Sequence, residues 1–313
     1  MIMTMQTIAL GLAWFTIANA GASLFSWLLA SPSMSSAQQQ DGPRRRVFIR
    51  VFPACASLLF AWMIFLPTHL VLEPADAKES LGLLWYLLAA SGACLLGRSA
   101  VRAISLWRAG RALLSSAHRS VPGVAGVYEV EGIAGVSLAG VFKSRIVIGP
   151  DVARELTSAE LEIAIAHELA HREARDNVTR ASMLCAPDFF GGSRRARRLE
   201  RAWHEAAESL ADARAVGGDR IRALHLASAL VKVARLSASA AAAPPQPAWS
   251  TLNDPSLLER RVRRLVSGAL TPTRPYRRRG AVALLVAGGI LAAIPLTAES
   301  LHRLTEYLVR LLP

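Results

Sequence analysis

Residues 167–171 read His167-Glu168-Leu169-Ala170-His171 within a largely apolar run, and this stretch sets what the rest of the chain must fold around. Side chains at i and i+4 stand one above the other on a helix, so both imidazoles reach a common point. That is the spacing of two ligands to one metal ion, and zinc is the ion expected for an H-E-x-x-H pattern. Glu168, beside the first histidine, falls where a carboxylate can take a proton from an attacking water and deliver it to a departing amine. The flanking Leu161, Ile163, Ala164, Ile165, Ala166, Leu169 and Ala170 predict a largely buried helix. Two imidazoles and a carboxylate buried without partners are costly, which weighs against a chance pair of solvated histidines and for a shared cation.

A hydrolytic zinc site needs a third protein ligand and one open position. Downstream, Glu208-Ser209-Leu210-Ala211-Asp212 sets two carboxylates at i and i+4 in an Ala-rich helical segment. Alone, such a pair is as readily a solvated helix face. Joined to the first motif, it offers Glu208 as the third ligand, with Asp212 one turn later to accept a hydrogen bond from a ligand histidine and fix its tautomer.

Composition points independently to a membrane. With 52% hydrophobic residues and a mean hydropathy of +0.32, the chain is more apolar than a soluble protein of 313 residues, and its apolar residues fall in four blocks. Spans are expected at about 5–30, 51–72, 80–97 and 280–298, each near the length that crosses a bilayer as a helix. The third could instead be a buried or interfacial helix. The first lacks a basic leader and is long for a signal-peptide core, so it reads as an anchored helix. Arg44, Arg45, Arg46 and Arg50 follow the first block, whereas Glu73, Asp76 and Glu79 face a lone Lys78 after the second. Arg98, Arg102, Arg108 and Arg111 follow the third, and Arg274, Arg277, Arg278 and Arg279 precede the fourth. The positive-inside rule then puts every basic cluster in the cytoplasm and both chain ends outside.

The expected fold is therefore an α-helical integral membrane protein of about four transmembrane helices with an inserted cytoplasmic α+β zincin domain. Its parts are a membrane region over 1–107, a zinc domain over 108–275, the fourth span at 280–298 and a short extracytoplasmic tail over 299–313. The net charge of +13 is absorbed largely by Arg residues beside the spans, where they meet anionic lipid headgroups. No basic patch is interleaved with aromatics, so direct nucleic-acid binding is not expected. Arg194, Arg195, Arg197 and Arg198 exceed what topology needs, and suit an acidic partner or the membrane surface. Cys55, Cys94 and Cys185 have neither metal-ligand nor disulfide spacing and are expected to pack as small apolar residues.

Within the cytoplasmic part, 127–131 and 145–148 are β-prone, with Gly135-Val136-Ser137-Leu138-Ala139-Gly140 between them. Residues 135–142 are the candidate edge strand for pairing with an extended substrate. Thr157 and Glu160 form a capping-box pattern, so the metal helix should run over about 158–174. Further helices are expected around 219–236 and 256–267, and Gly191-Gly192-Ser193 marks a basic loop in which self-cleavage near Ser193-Arg194 is conceivable. His204, His225 and Arg175 are oxyanion-stabilising candidates by residue type alone.

The chain resembles the membrane-bound zinc peptidases of the BlaR/MecR type and, more distantly, the CAAX-prenyl protease and HtpX group. The matching features are H-E-L-A-H at 167–171, Arg175-Asp176-Asn177, E-S-L-A-D at 208–212 and Leu258-Glu259-Arg260-Arg261-Val262-Arg263-Arg264-Leu265. The resemblance implies His167, His171 and Glu208 as Zn2+ ligands, Glu168 as catalytic base, and a metalloendopeptidase in a bacterial inner membrane. It also implies signalling by cleavage of a cytoplasmic protein such as a transcriptional repressor. Only Glu299 to Pro313 follows the last expected span, which leaves no room for the family's extracytoplasmic sensor domain and calls for a separate sensor protein. A quality-control protease with the same site, or a non-catalytic transducer that keeps the fold, are the alternatives.

Overall fold

The structure, a computed structural model, describes residues 5–29, 42–72, 81–117, 119–121, 126–239, 255–268 and 298–311. The chain divides into two compact units: Met1–Ala100, Ala186–Glu200 and Pro275–Pro313 form the first, and Val101–Cys185 with Arg201–Arg274 the second. It is mostly helical, with one small sheet.

The first unit contains α1 (Met5–Leu29), α2 (Gly42–Leu59), a π-helical turn (Phe60–Phe65) continuing into α3 (Leu66–Leu72), and the start of α4 (Leu83–Ser115). Three helical stretches, Met5–Leu29, Pro43–Leu72 and Leu83–Ser115, are long and apolar enough to cross a membrane. They meet around Leu10, Trp14, Phe65 and Trp85, and Val309 from a helix over 298–311 joins this cluster. Close approach here depends on small and polar residues. A Cβ on Gly92 of α4 would lie 2.6 Å from the Leu12 carbonyl, and Thr16 donates to Leu88 O at 2.8 Å. Phe25, Trp62, Leu83 and Leu87 lie exposed, an apolar outer surface of the kind a bilayer would cover. The fourth expected span lies outside the described residues except for Ala298, and of the tail expected over 299–313 residues 299–311 are helical.

The third expected span lies within a longer helix: α4 continues to Ser115, because arginine ends an apolar span but is a good helix former. One expectation changes. Cys55 and Cys94 are exposed on α2 and α4 rather than packed inside, since both fall on the outer faces of their helices.

In the second unit, β1 (Arg119–Ser120), β2 (Val127–Glu129), β3 (Val136–Ala139) and β4 (Arg145–Ile148) form a sheet of order β1-β2-β4-β3. β2 and β4 are parallel, the other pairs antiparallel, and β3 is an edge. Then come α5 (Pro150–Glu155), α6 (Ser158–Ala174), α7 (Asp176–Cys185), α8 (Arg194–Val216), α9 (Arg220–Ser239) and α10 (Pro255–Ser267). One core joins the sheet to α6 and α9 through Val127, Leu138, Ile146, Ile148, Ala164 and Val233. A second joins α6, α8, α9 and α10 through Ile163, Val216, Leu226 and Leu265. α6 is thus packed against both cores. α8 begins directly at Arg194: Ser193 accepts the Ala196 N–H as a cap, so the basic run is helical rather than a loop.

Candidate metal centre

α6 starts where the sequence sets it. Thr157 Oγ1 accepts from Glu160 N–H and Glu160 Oε2 accepts from Thr157 N–H at 2.8 Å, a complete capping box. It stops at Arg175, a non-glycine residue in the left-handed region with φ 56°. That break turns the chain so that Asp176 reaches back, its Oδ2 2.6 Å from His171 Nδ1.

His167 and His171 present Nε2 atoms 3.1 Å apart. From α8, Glu208 brings Oε2 to 3.4 Å from His167 Nε2 and Oε1 to 3.4 Å from His171 Nε2. These three buried or near-buried side chains offer ligand atoms that all lie within 4.8 Å of one another, and together they could hold a metal ion. Each ring is backed by a carboxylate on its far side. Asp176 accepts from His171, and Asp212 Oδ1 lies 3.0 Å from His167 Nδ1, at ion-pair distance though off the axis of the ring N–H. Nδ1–H toward a carboxylate leaves Nε2 with its lone pair toward the shared point.

Arg261, which sequence reasoning did not single out, completes the arrangement. Its side chain is 2% exposed; Nη1 lies 2.7 Å from Glu208 Oε2, while Nε and Nη2 donate to Asp212 at 3.0 and 2.7 Å. Leu257 and Leu265, one turn either side of it on α10, are buried too. An arginine centred on the apolar stripe of an amphipathic helix was the available signal.

Charge in the centre is fixed by these neighbours. Burial acts to raise the Glu208 and Asp212 pKa values, but Arg261 and the histidines outweigh it: Glu208 is held well below its usual range and Asp212 is brought to about 2. Burial acts to lower both histidines, yet Asp212 and Glu208 raise His167, and Asp176 and Glu208 raise His171 well above the usual range. The rings therefore attract positive charge, which a metal cation would supply in place of protons. Glu168, also buried, is raised because burial exceeds the pull of the two histidines.

The centre opens into a cleft lined by Glu168, Val136 and Ser137 on β3, Arg180, Trp203 and His204. Of the residues proposed for substrate pairing, Val136, Ser137 and Leu138 line it, while Gly135, Ala139 and Gly140 do not. Asn177 donates to the carbonyls of Leu138 and Gly140 at 2.8 and 2.7 Å, so an added strand meets those two groups already engaged. His204 faces the cleft with Nδ1 3.8 Å from Glu208 Oε1, its pKa lowered by burial. His225 lies on α9 and Arg175 at the exposed end of α6, neither in the cleft lining.

Comparisons of this chain with protein-family models, with curated proteins and with solved structures gave no match.

Proposed function

We propose that this chain is a membrane-bound zinc metalloendopeptidase that cuts cytoplasmic or membrane-proximal proteins, akin to the BlaR/MecR-type peptidases. The observation that carries the reading is the spacing of the ligand atoms. Donors held at 2.0–2.2 Å from a tetrahedral zinc ion stand about 3.3–3.6 Å apart. Here the two Nε2 atoms are 3.1 Å apart and each lies 3.4 Å from a different oxygen of Glu208, a His-His-Glu set whose ligand atoms fall within 4.8 Å of one another beside the cleft. Bound zinc would serve as a Lewis acid that polarises the scissile carbonyl and acidifies water.

The chain's own residues divide the remaining work. His167, His171 and Glu208 hold the ion, while Asp212 and Asp176 orient the two rings. Glu168, in the same cleft and outside the ligand set, takes the proton of the attacking water and returns it to the leaving amine. β3 offers its edge to the substrate backbone at Val136 and Ser137, beside the ligands. The three apolar helices anchor the chain, and the Arg-rich segments favour a cytoplasmic catalytic unit in a bacterial inner membrane. A repressor is the substrate favoured by the resemblance.

The test uses the full chain in lipid nanodiscs with an unfolded protein as substrate. Cleavage should stop on chelation, return with one equivalent of zinc, and fall by about 10²–10⁴-fold in Glu168→Gln while zinc content is retained. Equal cleavage by Glu168→Gln and wild type would reject the peptidase reading.

A further inference from the structure

A second polar site lies in the first unit, where α8 begins beside the end of α1. Its walls are Ser23, Ser26 and Trp27 of α1, Arg50 of α2, and Asp188, Phe190, Ser193 and Arg195. Most polar groups there are spoken for. Arg50 donates to Asp188 at 3.2 Å and Glu200 at 2.8 Å, Ser23 donates to Asp188 at 2.8 Å, and Asn19 Oδ1 accepts from Phe189 N–H. These bonds pin residues 187–190 to α1 and α2 and share the one charge of Arg50 between two carboxylates, so the positive charge for a ligand must come from α8.

What remains has the chemistry of an anion receptor. Ser26 is 6% exposed, lines the site, and its hydroxyl has no hydrogen-bond partner among the described residues. The first turn of α8, a 23-residue helix, brings the backbone N–H groups of Arg194 and Arg195, the Ala196 N–H being capped by Ser193, and the positive end of the helix dipole. Arg195 packs its guanidinium 3.8 Å over the Trp27 ring and donates to Trp27 O at 3.0 Å, which holds a cation at the rim. Next to it along the chain, Arg194, Arg197 and Arg198 add further positive charge to the same end of the helix. On the same end of α1, Leu24, Phe25 and Leu28 are 48–57% exposed, an apolar surface continuous with a basic, aromatic rim. A ligand that suits both has a phosphate and hydrocarbon tails.

We propose that the α8 N-terminus, with Ser26, Ser193 and Arg195, binds the phosphodiester of an anionic phospholipid headgroup whose acyl chains lie along the end of α1. The bound headgroup would clamp the first turn of α8. This inference rests on the membrane-anchored reading above.

The test measures thermal unfolding of the full chain in a neutral detergent during titration with dihexanoyl phosphatidylglycerol, dihexanoyl phosphatidylcholine or inorganic phosphate. Phosphatidylglycerol should give a saturable rise in melting temperature. Arg195→Gln, which removes a charge-assisted hydrogen bond, should shift the midpoint about tenfold or more to higher lipid. Ser26→Ala removes one oxygen from the site and carries the test if Arg195→Gln does not fold. Variants that titrate like wild type, or an equal response to phosphatidylcholine, would overturn the site, and saturation by inorganic phosphate alone would overturn the lipid assignment. A chain that stays with membranes through an alkaline wash yet gives a flat titration loses this site alone; one that the wash releases loses the membrane reading as well.

Discussion

Arg261 stands 2.7 Å from a carboxylate oxygen of Glu208 and 2.7 Å from one of Asp212, with all three side chains buried. Replacing it by glutamine strands two desolvated carboxylates, and breaking a buried pair of this kind costs about 3–5 kcal/mol. A bound cation supplies positive charge to the same two groups. Arg261→Gln should therefore lower the melting temperature of chelated protein by several degrees, at about 2–4 °C per kcal/mol, and lower that of zinc-loaded protein much less. Calorimetry with and without chelator checks this, and equal losses in both states would show that Arg261 does not share its charge-balancing role with an ion. Asp212→Asn keeps the shape but weakens the hold on His167, so zinc affinity should fall by about 10–100-fold in a competition titration. The grouping of His167, His171 and Glu208 was legible as sequence because H-E-x-x-H and E-x-x-x-D are local, one-turn patterns. The roles of Arg261 and Asp176 were not, although both fall in stretches that carry the resemblance: Arg261 sits among the many arginines of α10, and Asp176 reaches His171 only because Arg175 adopts a left-handed conformation.

The start of α6 ties capping to the packing of α9. Burial acts to raise the Glu160 pKa, but Lys232 at 2.8 Å, Ser228 at 2.6 Å and the Thr157 cap outweigh it and bring it to about 2. Since the folded pKa lies below the usual 4.5, the group contributes stability that is fully present above pH 4.5 and is lost as pH falls toward 2. Glu160→Gln should flatten that part of the acid-unfolding curve; a variant that tracks wild type between pH 5 and 2 would show the pairing contributes nothing. The β4–α5 junction is tighter still. A Cβ on Gly149 would lie 1.8 Å from Ile133 O, and Gly149 N–H donates to Gly135 O at 3.0 Å. Backbone faces backbone, so Gly149→Ala should cost about 3 kcal/mol or more, read as a drop in folded yield and melting temperature. Elements with a local stop or start signal were readable to within a residue or two, as Thr157 shows for α6. The extent of α4 was not, because Arg98 marks where an apolar span ends and not where backbone hydrogen bonding does. Nor was the start of α8, since Gly191-Gly192 reads as a loop and nothing local distinguishes Ser193 from another loop residue until its hydroxyl is found capping Ala196.

At the scale of the whole molecule, the membrane-anchored reading proposed above makes charge asymmetry about the apolar helices the predictor of which side the centre faces. Arg44, Arg45, Arg46 and Arg50 precede the second apolar stretch, Glu73, Asp76 and Glu79 come after it, and Arg98, Arg102, Arg108 and Arg111 come after the third. Each basic group near a membrane end resists translocation, whereas acidic residues contribute little, so the segment around Lys78 should be outside and everything from Arg98 to Arg279 inside. Single cysteines at Lys78 and Gly192 report the two sides once the native Cys55, Cys94 and Cys185 are replaced, which matters because Cys55 and Cys94 are exposed. Gly192 accepts the substitution, since a Cβ there meets nothing within 4 Å. In intact cells a membrane-impermeant maleimide should label the cysteine at 78 and spare the one at 192, and permeabilisation should make the second reactive. Labelling of both in intact cells would place the metal centre outside, where no cytoplasmic repressor could reach it. Labelling of neither before permeabilisation and both after would leave the site inside but remove the outward loop, and with it the crossing of the second and third helices.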